Sequence, residues 1–127
     1  MLWRSGLVLL LWSCLLVSCG GNESPEAPTP TLTAQMAQGK QLFSQHCGTC
    51  HAIEAETVIV GPSLFAMSER VAERAPELTA EQYVELSILQ PGAFVVPGYD
   101  NLMPANLSKR LDGQELDAIV TYVLNLH

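Results

Sequence analysis

Five consecutive residues of this 127-residue chain, Cys47-Gly48-Thr49-Cys50-His51, bring two thiols and an imidazole within little more than one helical turn. At that spacing the two sulfurs can form thioethers to the vinyl groups on one side of a porphyrin, and the histidine that follows can turn its ring to the iron. Other dithiol chemistries fit less well. A structural zinc site takes four ligands, but no cysteine follows Cys50 and the one histidine beyond His51 is the terminal His127. A thioredoxin-like pair is expected after a strand in a βαβ pattern, whereas residues 36–45 carry a helical pattern and the motif closes with histidine. A plain disulfide suits an oxidising compartment but leaves His51 without a role. The motif therefore reads as the attachment site of one covalent haem c, with His51 as proximal iron ligand.

A haem that carries electrons is held on both faces, and Met103 is the expected distal ligand. It lies in the loop Gly98-Tyr99-Asp100-Asn101-Leu102-Met103-Pro104, where Pro104 restricts the backbone before it to an extended form. Met36 and Met67 fall in helical patterns, where methionine more often fills a core. His46 is held on or beside the proximal side by its place before Cys47, and His127 sits at a terminus where chains fray. A thioether ligand would raise the potential relative to two imidazoles. Tyr99 and Asn101 can hydrogen-bond a haem propionate or hold the methionine loop, and turn residues are an equal reading of both.

The elements that must position these groups are helices. Met36, Gly39, Phe43, Cys47 and Cys50 recur at steps of three and four, which sets the thiols at the end of a first helix. Gly39 inside it weakens that helix by about 1 kcal/mol relative to alanine, so a close helix crossing is expected there. The partner is a last helix with Asp112 as N-cap and Glu115 three residues on, an apolar stripe of Leu116, Ile119, Val120, Val123 and Leu124, and Tyr122 against the Gly39 notch. A short helix is expected over 64–74 after the Gly61-Pro62-Ser63 turn. A further one opens at the capping box Thr79-Ala80-Glu81-Gln82 and stops at Pro91-Gly92. Val58 to Val60 and Phe94 to Val96 are too short to count as strands. The fold class is all-α, without internal repeats.

Ahead of this domain, residues 1–4 form a short positive stretch and residues 7–17 an apolar core interrupted by Ser13 and Cys14, the pattern of an export signal. The apolar run is shorter than the roughly 20 residues a spanning helix needs. Leu16-Val17-Ser18-Cys19 resembles a bacterial lipobox, which implies cleavage before Cys19 and lipid on its sulfur; the alternative is an ordinary cleavage site that contains a cysteine. Residues 1–18 are then a signal peptide, 19–33 a lipidated tether rich in proline, and 34–127 the haem domain. The tether carries Pro25, Pro28 and Pro30 without apolar period, and at about 3.1 Å per residue it would reach on the order of 40 Å. Net charge is -7, one unit more negative once Arg4 leaves with the leader, so nucleic acid is not an expected partner. Glu54, Glu56, Lys109 and Arg110 read first as solvated surface, and as docking charges second.

Over residues 33–127 the chain resembles class I cytochromes c, on Cys47-Gly48-Thr49-Cys50-His51, Gly61-Pro62-Ser63-Leu64 and Asn101-Leu102-Met103-Pro104 in that order. The resemblance implies a cytochrome c fold with terminal helices crossing around the haem, and a Pro62 carbonyl that accepts the Nδ1 proton of His51. More narrowly, Tyr83 to Pro91, Gly98-Tyr99 and Met103-Pro104 are similar to the cytochrome domain of haem-copper oxidase subunit II and to the monohaem lipoprotein subunit of alternative complex III. Unlike the fused form, the chain lacks a copper domain. The function implied is one-electron transfer at a bacterial cell membrane, lipid-anchored on the extracytoplasmic side, with no catalytic residue and no small-molecule substrate. Its partners would be redox proteins of a membrane-bound respiratory or photosynthetic complex, served as a shuttle or from within as a subunit of a quinol-oxidising or oxygen-reducing complex. The alternative is a haem enzyme or gas sensor with an open distal iron site, which would need an acid-base group there.

Overall fold

The computed structural model describes residues 34–127. The leader with Cys14, the lipobox cysteine Cys19 and the tether lie outside the described residues. Among the described residues four α-helices occur in chain order, α1 (Ala34–His46), α2 (Met67–Arg74), α3 (Ala80–Leu89) and α4 (Gly113–Leu124), with a 3-10 turn at Leu107–Lys109 ahead of α4. No strand occurs among the described residues, so the all-α expectation holds and the short apolar runs at 58–60 and 94–96 are loop.

The principal packing is α1 across α4. Gly39 is buried at that crossing, where a Cβ would overlap the Ala118 carbonyl oxygen and come 2.7 Å from Tyr122 Cβ. The predicted meeting of Gly39 with Tyr122 is thus observed, and Ala118, wholly buried, forms the other side of the notch. One turn along α1, the Phe43 ring meets Tyr122 with centroids 5.5 Å apart and planes tilted by 54°, within the range of a favourable aromatic pair. Beneath the crossing, Val71, Ile119 and Val123 are the largest fully buried side chains, joining α2 to α4.

Both predicted capping boxes form. Thr79 Oγ1 accepts from Gln82 N at 3.1 Å while Gln82 Oε1 accepts from Thr79 N at 3.0 Å. Asp112 Oδ1 accepts from Glu115 N at 2.8 Å while Glu115 Oε2 accepts from Asp112 N at 3.0 Å. Each box satisfies two donors that a helix start otherwise leaves open. The second helix is shorter than the 64–74 expected, because the residues just ahead of it are held in a non-helical turn. Leu64 N–H donates to Ala52 O and Ala66 N–H to Leu126 O, Phe65 N–H donates to Ser63 Oγ, and Ala66 takes the left-handed conformation at φ 50°. Helical geometry can begin only at Met67.

Gly39→Ala should lower the thermal unfolding midpoint of the holoprotein followed by circular dichroism. Overpacking costs roughly 1–3 kcal/mol against a helix-propensity gain of about 1 kcal/mol, and the obstacle is backbone. A net loss of about 1–2 kcal/mol corresponds to about 4–8 °C per kcal/mol in a domain of this size. Gly113→Ala, whose Cβ meets nothing within 4 Å, should not lower the midpoint. Equal midpoints for Gly39→Ala and the parent would remove the close crossing.

Candidate haem site

The attachment motif continues α1 as hydrogen-bonded turns. Cys47 and Gly48 N–H both donate to Phe43 O at 2.8 and 2.9 Å, and Cys50 and His51 N–H both donate to Cys47 O at 3.0 and 2.9 Å. Two sulfurs and an imidazole are thereby fixed to one helix end. Cys47 is buried and Cys50 half-buried, and both thiols are free. Burial, with a smaller contribution from the neighbouring Cys50, pushes the Cys47 thiol up to about 11. Reactive dithiols depress the pKa of the attacking sulfur, so the environment here is the reverse of a redox dithiol's. Among the described residues no three His, Cys, Asp or Glu side chains converge as a metal-holding cluster.

After His51 the chain makes a loop that returns to the same ring. His51 Nδ1 lies 2.8 Å from Pro62 O. A carbonyl only accepts, so Nδ1 carries the proton and Nε2 keeps its lone pair. The ring is packed against Gly61, where a Cβ would come 2.5 Å from His51 Cε1 and 2.9 Å from Nδ1. The loop is tied at several points. Gly61 N–H donates to Cys50 O and Leu64 N–H to Ala52 O, each at 2.9 Å. Buried Ser63 donates from Oγ to Glu54 O at 2.7 Å. The Arg70 guanidinium donates to Ser63 O at 2.8 Å and Phe65 O at 3.3 Å. Sequence reasoning missed Ser63 and Arg70. Ser63 had a signal in its place beside Pro62; Arg70 had none, being one charge among several on a polar helix.

These elements enclose a cavity of about 330 Å³. Cys47, Cys50, His51, Pro62, Tyr99, Asn101 and Met103 all line it, which brings together every site residue predicted within the described part of the chain. Helix α3 contributes Tyr83, Val84 and Ile88, and the following loop Phe94, Val95 and Val96. The α3 wall was not foreseen as such, because its apolar positions read equally as ordinary core. The Met103 loop begins with a turn closed by Tyr99 N–H to Val96 O at 3.1 Å, with Gly98 at φ 90°, the positive φ a type II turn requires at its third residue. Met103 itself is half-buried. Met67, expected as core filler, is in the core and also lines the cavity. Met36 and His127 do not line it. His46 does, and its Nδ1 is buried without a hydrogen-bond partner among the described residues.

Free thiols, an imidazole with its proton committed away from Nε2, and a largely apolar wall holding an unpartnered polar atom together fit a flat apolar macrocycle with a metal at its centre. The family model for cytochrome c matches residues 36–127. The chain belongs to the cytochrome c family. No curated protein matches it. The chain is accordingly a haem-based electron-transfer protein with covalently bound haem c, and Cys47, Cys50 and His51 fit the attachment sequence of that family.

Gly61→Ala should displace the His51 ring or the Pro62 carbonyl in this cytochrome. Nuclear magnetic resonance of the holoprotein should show the Nδ1 proton of His51 shifted and exchanging faster with solvent. An unmoved resonance with unchanged exchange would mean that Gly61 does not fix the ring.

Proposed function

We propose that this cytochrome is a membrane-tethered one-electron carrier in which His51 Nε2 and Met103 Sδ would hold the haem iron. The observation that carries the reading is the 2.8 Å bond from His51 Nδ1 to Pro62 O, which leaves Nε2 as the donor in a cleft that Met103 also lines. When bound, haem c supplies a one-electron ferric–ferrous couple. The chain's own residues do the rest. Cys47 and Cys50 would hold the porphyrin through thioether bonds. The Pro62 carbonyl orients His51 and raises the basicity of its free nitrogen. Val84, Ile88 and Phe94 keep water from the cleft, and Pro104 with the Gly98 turn restrains the Met103 loop.

The lipobox residues ending at Cys19 and the proline-rich stretch after them support a lipid anchor with the haem domain on the extracytoplasmic side of a bacterial cell membrane. No helix among the described residues is long and apolar enough to cross a membrane. The donor and acceptor are then membrane-bound redox proteins of a respiratory or photosynthetic chain, which the domain serves as a tethered shuttle or as a docked subunit of a quinol-oxidising or oxygen-reducing complex.

Optical spectra of the ferric and dithionite-reduced protein test the ligand pair. Met103→Ala is expected to lose the weak far-red band of sulfur-to-ferric-iron ligation, while Met67→Leu keeps it. A band that survives in Met103→Ala but not in Met67→Leu would move the ligand to α2. A high-spin iron that binds carbon monoxide in the unmodified protein would favour the enzyme or sensor reading instead. The anchor is tested separately with Cys19→Ser. Holoprotein with an unchanged spectrum should pass from the membrane fraction to the soluble fraction, and retention in the membrane would remove the lipid from the proposal.

A further inference from the structure

The large apolar side chains exposed among the described residues are not equivalent. Val60, Val95 and Leu102 line the haem cleft, and Leu89 lines a smaller groove at the start of α4. Val58 and Ile59 line neither, yet they are 61% and 52% exposed. An exposed apolar residue standing alone is ordinary. These two adjoin Val60 and so continue the apolar lining of the cleft onto the outer surface. The loop that presents them is fixed at both ends. Ser63 Oγ donates to Glu54 O at 2.7 Å, and Val60 and Gly61 N–H donate to Cys50 O at 3.2 and 2.9 Å. Between these anchors Glu56 takes the left-handed conformation at φ 56°, which a residue with a side chain adopts at a cost. Every residue from Glu54 to Val60 is exposed. The charge on this loop has one sign: it carries Glu54 and Glu56, and no lysine or arginine occurs from residue 41 to residue 69.

We propose that Val58, Ile59 and Val60, with Glu54 and Glu56 on the same loop, form a docking surface for a redox protein whose contact face is apolar at its centre and fringed by lysine or arginine. An apolar centre within a polar rim is the anatomy of a protein interface, and the acidic rim selects the occupant. Anionic lipid would be repelled by both carboxylates. A second copy of this chain, seated patch on patch about a two-fold axis, would bring the carboxylates of both copies together, which like-charge juxtaposition disfavours. A basic fringe pairs with them, speeds encounter and selects against acidic partners. A loop already held in shape gives up little freedom on docking. Val60 also lines the haem cleft, so a partner seated on this loop lies against the rim of the cofactor site. The inference rests on the one-electron-carrier function proposed above and does not depend on which methionine ligates iron.

The probe is a gold electrode carrying a mixed monolayer of methyl- and ammonium-terminated thiols, which is an apolar face with basic groups. Holoprotein with Cys19→Ser, which keeps lipid off the monolayer, should adsorb in electroactive form, read as the charge under its voltammetric wave. Val58→Ser combined with Ile59→Ser should weaken adsorption roughly tenfold, since the burial of two aliphatic side chains is lost, and should leave its salt dependence in place. Glu54→Gln combined with Glu56→Gln should flatten the salt dependence, because screening acts on charges. Leu89→Ser, and Glu77→Gln combined with Glu81→Gln, make the same changes outside this loop and should leave both readings close to the parent's. A wave at the parent's midpoint potential in every variant shows that the carrier function is intact. Unchanged adsorption in the Val58 and Ile59 pair, or adsorption lost in Leu89→Ser instead, would then overturn the docking surface alone. Binding to phosphatidylglycerol vesicles that Ile59→Ser abolishes would also overturn it, by making the occupant a lipid surface, and a dimer that Ile59→Ser dissociates would do so by making it a second copy. Holoprotein without a reversible one-electron wave on any electrode would remove the carrier function, and the proposal with it.

Discussion

The structure depends on the approach of α1 to α4 at Gly39. Helix axes normally pass 8–10 Å apart, spaced by their side chains. At this crossing a methyl group on α1 would collide with the backbone of α4 at Ala118. The closeness seats Phe43 on Tyr122, and Phe43 is the residue whose carbonyl accepts the amides of Cys47 and Gly48. The helix crossing and the attachment motif therefore share a residue. Any change that rotates α1 against α4 rotates the two sulfurs with it, which is why the least conspicuous residue of α1 governs its most reactive end.

A second constraint acts on the imidazole. A histidine held only by its own backbone could turn about its side-chain bonds and offer either nitrogen. Here Gly61 fits against the ring and Pro62 fixes the proton on Nδ1. That carbonyl is held by neighbours on both sides, through Gly61 to Cys50 and through Ser63 to Glu54 and Arg70. Proline also removes an amide that would otherwise need a partner of its own. The orientation of one ring is thus determined by the whole 51–64 loop, and the loop in turn by α2, since Arg70 belongs to that helix.

What could be read from the chain and what could not divide along physical lines. The cysteine spacing, the two capping boxes and the Gly39 notch are rules of local geometry and appear in the structure as expected. Helix α2 starts at Met67 rather than at 64 because Ala66 is left-handed, and the carbonyls that hold the turn ahead of it, Ala52 O and Leu126 O, are remote in sequence. The same holds for the α3 wall, whose residues Tyr83, Val84 and Ile88 line the cavity. Their roles follow from which side of the cleft they reach, and a stripe of Tyr83, Val84 and Ile88 has the same periodicity whether it faces another helix or a porphyrin. Pro62 fell between the two cases: the turn was local information, while its pairing with His51 came from family resemblance and is seen directly in the hydrogen bond. The leader, Cys19 and tether are statements about processing, which a folded domain does not record.

The cleft and the core are one surface. Val84, Ile88, Leu107, Ile119 and Val123 belong to the hydrophobic cluster and also line the cavity, so the apolar face that α3 and α4 present to each other is continued by the face they present to the cofactor. A domain of roughly a hundred residues buries a smaller fraction of its surface than a larger one and is correspondingly marginal. Sharing the surface makes the cofactor part of the core. The consequence for electron transfer is direct: side chains packed at interior density cannot rearrange without disturbing the helix crossing, so the surroundings of the iron are as stiff as the fold. A carrier gains from that stiffness, because an environment that barely moves between oxidation states adds little to the barrier for either transfer.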